Sequence, residues 1–292
     1  MNSIRLGTSS WSAKGWVGSF YPDGMKAADF LSYYATRWGC VEVDSTYYAV
    51  PRRDVVRRWA SVVPDGFTMA AKFPRSIVHA GQGPRPDGPR ILIGEDARRD
   101  TDQFLSAISL LGDRCGPLLL QFPYFNRQAF SSPAPFLDRL QGYLDGLPSD
   151  FRYAVEVRNR GWIGSELLDA LRSRGVSIVW ADLPYVPHPD AWPGDLDPVT
   201  ADFAYVRLIG DRKVTDALTS TFDRIVVDRS ERLRLWAKFI LATSGRVEET
   251  FAFANNHFAG HGPATLEELA RLLAVGGGTP PDPQLGTEKA QE

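Results

Sequence analysis

Short apolar runs recur along this chain, and nearly every one stops at a charged or amide side chain. The runs are Val41-Glu42-Val43-Asp44, Met69-Ala70-Ala71-Lys72, Leu118-Leu119-Leu120-Gln121, Ala154-Val155-Glu156-Val157-Arg158, Ile178-Val179-Trp180-Ala181-Asp182, Tyr205-Val206-Arg207 and Phe251-Ala252-Phe253-Ala254-Asn255-Asn256-His257. Several are continuous rather than alternating, as strands covered on both faces are. A fold needs apolar strands but has no need of an acid, a cation or an amide at the end of so many. Parallel strands closed into a barrel bring those ends to one mouth, where barrel active sites lie.

Helix-like patterns fill the gaps. Strands are predicted near Ile4–Ser9, Val41–Asp44, Phe67–Lys72, Leu118–Phe122, Tyr153–Val157, Val176–Trp180, Ala204–Leu208 and Thr250–Ala254. Helices are predicted over Ala27–Trp38, Asp54–Val62, Ala97–Leu111, Pro133–Tyr143, Ser165–Arg174, Arg229–Ala242 and Thr265–Ala274. Regular alternation of strand and helix implies parallel α/β architecture. Eight strand units in 292 residues suit a single (β/α)8 barrel of the TIM type. The expected domain is residues 1–275, with a Gly-, Pro- and charge-rich tail at 276–292 that composition marks as disordered. Two connections are long for this architecture, residues 73–96 after the third strand and 183–201 after the sixth. Both follow strand C-termini, so both are expected over the mouth as lids or binding loops.

Composition narrows the classes of function. The formal net charge of -2 lacks the excess of Lys and Arg that strong nucleic-acid binding requires. No run approaches the length of a membrane span, and no apolar leader precedes the first strand, so a cytoplasmic protein is expected. Cys40 and Cys115 lie in apolar runs and read as buried free thiols.

The strand ends carry the chemistry. Side chains alternate along a strand, so Glu42 and Asp44 share a face, as do Glu156 and Arg158. An inward glutamate in a half-buried site is expected to have a raised pKa and to act as acid or base. Glu42, Glu156 and Lys72 are therefore the candidate catalytic groups. The competing reading is a buried ion network in which Glu156 pairs with Lys72 or Arg207. Lys72 is expected to bind an anion rather than to form a Schiff base, because neighbouring carboxylates favour its charged form.

After the last strand, Asn255, Asn256, His257 and His261 fall within seven residues. A helix is expected to open there with Thr265 and Glu268 at capping-box spacing, and such a start favours anions. Arg207 and Gly210-Asp211-Arg212-Lys213 on the preceding unit extend that anion site. The expected substrate-binding set is Trp11, Asp44, Tyr47, His79, Gln121, Arg158, Asp182, Arg207, Asn255, Asn256 and His257. No cofactor is expected. A divalent metal is the alternative, with His79, His257, His261, Glu42, Asp44, Glu156 and Asp182 as available ligands, although no short ligand spacing supports it.

The ordered motifs resemble the YecE-like family, a family without an assigned function. They are Gly7-Thr8-Ser9-Ser10-Trp11, Phe20-Tyr21-Pro22, Glu42-Val43-Asp44-Ser45-Thr46-Tyr47-Tyr48, Lys72 with His79, Leu120-Gln121-Phe122-Pro123, Glu156-Val157-Arg158 with Trp162, Tyr205-Val206-Arg207-Leu208 and Asn255-Asn256-His257. They span about Ile4 to Leu273, and the resemblance implies a TIM-type barrel. There are departures. Ser10 stands where that family usually has Gly, Asp44 where it has Asn, and Asn159 and Ile209 where it has His. Two mouth histidines are thus absent, which weakens any metal-based mechanism.

Three functions compete. The first is an enzyme, an isomerase, lyase or hydrolase, using acid/base chemistry on a small polar or anionic substrate such as a sugar phosphate. The second is a metal-dependent nucleic-acid processing barrel, which the charge balance disfavours. The third is a non-catalytic ligand- or partner-binding barrel.

Overall fold

The computed structural model describes residues 3–80, 85–192, 194 and 196–277. Its strands are β1 (Ser3–Thr8), β2 (Cys40–Val43), β3 (Thr68–Lys72), β4 (Cys115–Gln121), β5 (Tyr153–Glu156), β6 (Ser177–Asp182), β7 (Phe203–Leu208) and β8 (Glu249–Ala254). The helices are α1 (Phe30–Tyr34), α2 (Arg53–Val62), α3 (Arg75–Val78), α4 (Gly94–Ile108), α5 (Pro133–Asp145), α6 (Ser165–Arg172), α7 (Arg212–Asp216), α8 (Ser230–Ser244), α9 (Asn256–Ala259) and α10 (Gly262–Val275). Every strand pairing is parallel, in the order β1-β8-β7-β6-β5-β4-β3-β2. This is the nearly closed (β/α)8 barrel that the alternation requires.

Among the described residues no ladder joins β1 to β2. The seam closes by other means. A Cβ on Gly7 would lie 2.2 Å from the carbonyl oxygen of Cys40, so only glycine allows this approach. From α1, the buried Tyr34 hydroxyl accepts from the Thr8 N–H at 2.7 Å and donates to the Cys40 carbonyl at 3.1 Å. One phenol thus takes the place of a ladder bond.

The interior is layered. The middle layer is apolar and includes Cys40, Leu119, Val179, Phe203, Phe251 and Phe253. Below it, Glu249 pairs with Arg5 and, at 2.6 Å, with Arg152. The Arg152 guanidinium lies 5.4 and 5.1 Å from the Phe203 and Phe251 ring centres. This plug closes the N-terminal end, so the barrel is a packed core rather than a pore. A second apolar shell lies between strands and helices.

Several expected boundaries shift. The helix predicted over Ala27–Trp38 is a 3-10 turn at Ala27–Asp29 followed by α1. The long connection 73–96 contains α3 and a 3-10 turn at Gly88–Arg90, with residues 81–84 outside the described set. The connection 183–201 contains a 3-10 turn at Pro189–Ala191. The helix expected from Thr265 begins at Gly262, because the His261 ring accepts from the Ala264 N–H at 3.2 Å and caps it instead. The tail expected from 276 lies, from 278 onward, outside the described residues. Cys40 is buried and Cys115 half-buried, both as free thiols. No helix among the described residues is long and apolar enough to cross a membrane.

Candidate functional site

Period-two alternation sends Glu42, Lys72, Gln121, Glu156 and Arg207 into the upper end of the barrel, one from each of β2, β3, β4, β5 and β7. Arg207 is the hub. Its Nε and Nη2 grip Glu42 Oε2 and Oε1 at 2.8 and 2.7 Å, a bidentate pair whose planar geometry only arginine supplies. Its Nη1 reaches Gln121 Oε1 at 2.9 Å and also contacts Glu156 Oε2. Tyr205, also on β7, donates to Glu42 Oε2 at 2.7 Å. Lys72 Nζ meets Gln121 Oε1 at 3.0 Å and Glu42 Oε1 at 3.5 Å, and it pairs with Asp44. Arg158 Nε meets Glu156 Oε1 at 3.0 Å. Three carboxylates and three cations therefore balance.

Burial divides this cluster into a floor and a rim. Glu42, Glu156, Tyr205 and Arg207 are fully buried, and Lys72 nearly so. Asp44 and Arg158 open to solvent, with side chains 34 % and 26 % exposed. Isolated ions taken out of water carry a penalty of several kcal/mol each, offset only where every lone pair finds a donor. Glu42 and Glu156 meet that condition, since all four of their oxygens are engaged.

The raised glutamate pKa expected from the strand pattern is not found. Burial alone would push both carboxyls up, but Arg207 and its neighbours outweigh it. Glu42 is held down to about 2 by Arg207 and Lys72. Glu156 is lowered by Arg207, Arg158 and Lys72. Neither reaches solvent, and both sit in the buried ion network that competes with the acid/base reading. Asp44 behaves oppositely. Burial pushes its carboxyl up and Glu42 adds to the rise, while Lys72 and Arg207 offset only part. Its open edge limits how far burial can act.

The other expected residues divide in the same way. Asp182 points outward, because Val179 and Ala181 on either side of the alternation face in. Its carboxylate takes Arg232 Nε at 2.6 Å and the Trp236 indole N–H, fastening β6 to α8. It lines the wall, not the mouth. Asn256 Oδ1 accepts from Trp16 Nε1 at 3.1 Å and Gly262 N–H at 2.9 Å, clipping the loop after β1 to α10. Asn255 Oδ1 accepts from the His257 N–H and meets His257 Nδ1 at 2.8 Å, while His257 Nε2 lies 3.0 Å from Asp216. Burial lowers the His257 pKa, with Asp216 opposing. Trp11 packs edge-on against Trp59 at 5.6 Å. Tyr47 is half-buried within the field of Arg75 and Arg158. His79, at the end of α3 in the connection after β3, is buried. Among the described residues no three His, Cys, Asp or Glu side chains gather as a metal-binding group.

Three residues escaped the strand-end reading. Tyr205 was legible, since it shares a face with Arg207 two positions on. Ser9 lies just past β1, two positions on from Gly7, and its buried hydroxyl has no hydrogen-bond partner among the described residues. Asn159 makes a reciprocal clamp with the backbone of Phe125, donating to its carbonyl and accepting from its N–H at 2.8 Å each. No periodicity announces such a clamp.

A parallel eight-stranded barrel whose mouth is floored by this ion cluster belongs to the family described as protein of unknown function DUF72, which matches residues 5–288. Among curated proteins the chain is similar to UPF0759 protein YecE of Escherichia coli strain K12, at 33 % identity over 184 residues. That alignment covers 61 % of this chain and 59 % of the relative, so it spans less than two thirds of the relative's length. Among solved structures, a DUF72 family protein from Thermotoga maritima aligns with a TM-score of 0.68 at 26 % identity, covering 93 % of this chain and 99 % of that one. A DUF72 family protein from Enterococcus faecalis aligns at the same TM-score and 20 % identity, covering 93 % and 95 %, and supports the fold alone.

Proposed function

We infer that this barrel is an enzyme that binds a small anionic substrate at its mouth and moves a proton through the Lys72–Asp44 pair. The observation that carries the reading is the position of that pair. It lies at the open edge of a cluster whose deeper carboxylates, Glu42 and Glu156, are already saturated. A group that transfers protons must reach its substrate, and Asp44 is the carboxylate of this cluster with an exposed edge.

The roles follow from the partners. Arg158 is the accessible cation and receives the anionic group of the substrate. Asp44 delivers or withdraws the proton at its open edge, and Lys72 behind it holds the carboxylate in place and relays the proton. Gln121 accepts from both Lys72 and Arg207 and so fixes the ammonium in place. Glu42, Glu156 and Arg207 are positioning residues that hold the floor rigid, as preorganised electrostatics require. Isomerase, lyase and hydrolase chemistry all use such a pair.

The test is a screen of small phosphorylated and carboxylated compounds for binding, then for turnover. Lys72→Met should abolish turnover while leaving ligand affinity within a few-fold. Arg158→Ala should weaken binding at least tenfold, since a charged hydrogen bond contributes about 1.5–3 kcal/mol. If Asp44→Asn alone stays active, the proton passes from Lys72 without Asp44, with Glu42 as the remaining carboxylate partner of the ammonium, as the asparagine usual in resembling sequences would require. Turnover undiminished in both variants rules the assignment out. Binding without turnover of any compound favours the ligand-binding barrel instead.

A further inference from the structure

Aromatic rings in this molecule are buried or half-covered, with three exceptions among the described residues. Tyr48 is 80 % exposed, Tyr124 62 % and Tyr185 48 %. Each stands just beyond the C-terminal end of a barrel strand: Tyr48 after β2, Tyr124 after β4 and Tyr185 after β6. The outer helices and the N-terminal face carry none.

Two of these rings sit on matched arms. Gln121-Phe122-Pro123-Tyr124 leaves β4, and Asp182-Leu183-Pro184-Tyr185 leaves β6. In both, the apolar residue is buried and anchors the arm. The proline then restricts the backbone, and the tyrosine emerges into solvent. A flexible arm would let the ring fold back onto apolar surface; a proline-stiffened one holds it out. Strand β5 lies between β4 and β6 in the sheet, so the two arms flank Arg158. The Asn159 clamp at 2.8 Å ties the Tyr124 arm to the residue next to Arg158. An accessible cation and two exposed rings are thereby held in fixed relation. Rings set apart around a polar centre do not form the contiguous apolar patch of a protein-docking face.

We propose that the mouth takes a phosphate ester whose other part is a flat-faced ring, the phosphate meeting Arg158 while the ring stacks on Tyr124 or Tyr185. The proposal rests on the reading of the mouth as an anion site and names the rest of the ligand. Aromatic side chains stack on nucleobases and on pyranose faces alike, so both are sources of this chemistry. A net charge of -2 favours a single phosphorylated unit over a long polyanion.

The experiment is a calorimetric titration with three probes: inorganic phosphate, a pyranose phosphate and a nucleoside monophosphate. Each is run against the unchanged protein, Tyr124→Ala, Tyr185→Ala and the corresponding Phe variants. The ring-bearing probes should bind the unchanged protein more tightly than inorganic phosphate. They should lose about tenfold in affinity in an Ala variant and keep it in the Phe variant, while inorganic phosphate binds all variants equally. The probe that responds identifies the ring. Ring-bearing probes that bind every variant as tightly as the unchanged protein overturn the proposal and leave the anion site standing. Equal loss of all three probes in the Ala variants also overturns it. If no probe binds the unchanged protein, the anion site itself is wrong and this inference falls with it.

Discussion

The hydroxyl of Tyr34 donates to the carbonyl of Cys40 at 3.1 Å while accepting from the N–H of Thr8, and so spans the seam where β1 and β2 fail to pair. Tyr34→Phe removes that bridge and strands two buried backbone groups. An unsatisfied buried group costs about 1–3 kcal/mol, so a loss of about 2–4 kcal/mol in urea unfolding is expected. A loss below about 0.5 kcal/mol would show that the seam is held by packing alone.

Glu156 tests the floor of the cluster. In Glu156→Gln, Arg207 and Arg158 each lose a carboxylate partner inside the barrel. Breaking a buried pair by removing one member costs about 3–5 kcal/mol. Denaturant unfolding at neutral pH should show a loss of that order. Near-normal stability would return Glu156 to the list of acid/base candidates.

His261 should write itself into the pH profile. Burial lowers its pKa from 6.5 to about 4, with Asp223 opposing weakly. The unfolded chain takes up the proton as pH falls through 6.5, whereas the fold resists until about 4. Stability is therefore complete above the upper value and declines between the two. His257 and His188, also lowered by burial, steepen the same decline. Asparagine is a good helix cap, so His261→Asn should keep α10 capped while flattening the urea-midpoint profile in that window. An unchanged profile would mean that His261 does not titrate differently on unfolding.

Ser9 separates folding from binding. Its buried hydroxyl has no partner among the described residues, so Ser9→Ala removes an unmet desolvation cost and should leave stability unchanged within about 1 kcal/mol. If the hydroxyl meets substrate, ligand affinity falls several-fold in the same variant. Unchanged affinity would remove Ser9 from the mouth.

The barrel was legible because its strands are continuous apolar runs punctuated by helices of the right length. The inward set was legible in part: alternation pointed Glu42 and Glu156 inward, while Lys72, Gln121 and Arg207 were picked out only as polar strand ends. Applied strictly, the same rule would have turned Asp182 outward, since Ala181 faces in. What alternation cannot report is saturation. Whether a carboxylate is poised or spent depends on partners distant in the chain, such as Tyr205 and Arg207 on Glu42. Asn256 looked like a substrate amide, and its engagement with Trp16 has no local signal. Single-turn helices such as α3 and α9 are too short to leave a period.

The balance of three carboxylates against three cations has a consequence for calorimetry. An anion that enters a neutral cluster leaves it with an uncompensated charge. The readiest remedy is a proton drawn from solvent, and Asp44 has both the open edge and the upward-shifted carboxyl to receive it. Ligand capture would then be accompanied by proton uptake. The observed heat would vary with the ionisation enthalpy of the buffer, affinity would rise as the solution is acidified toward the Asp44 pKa, and both effects would vanish in Asp44→Asn.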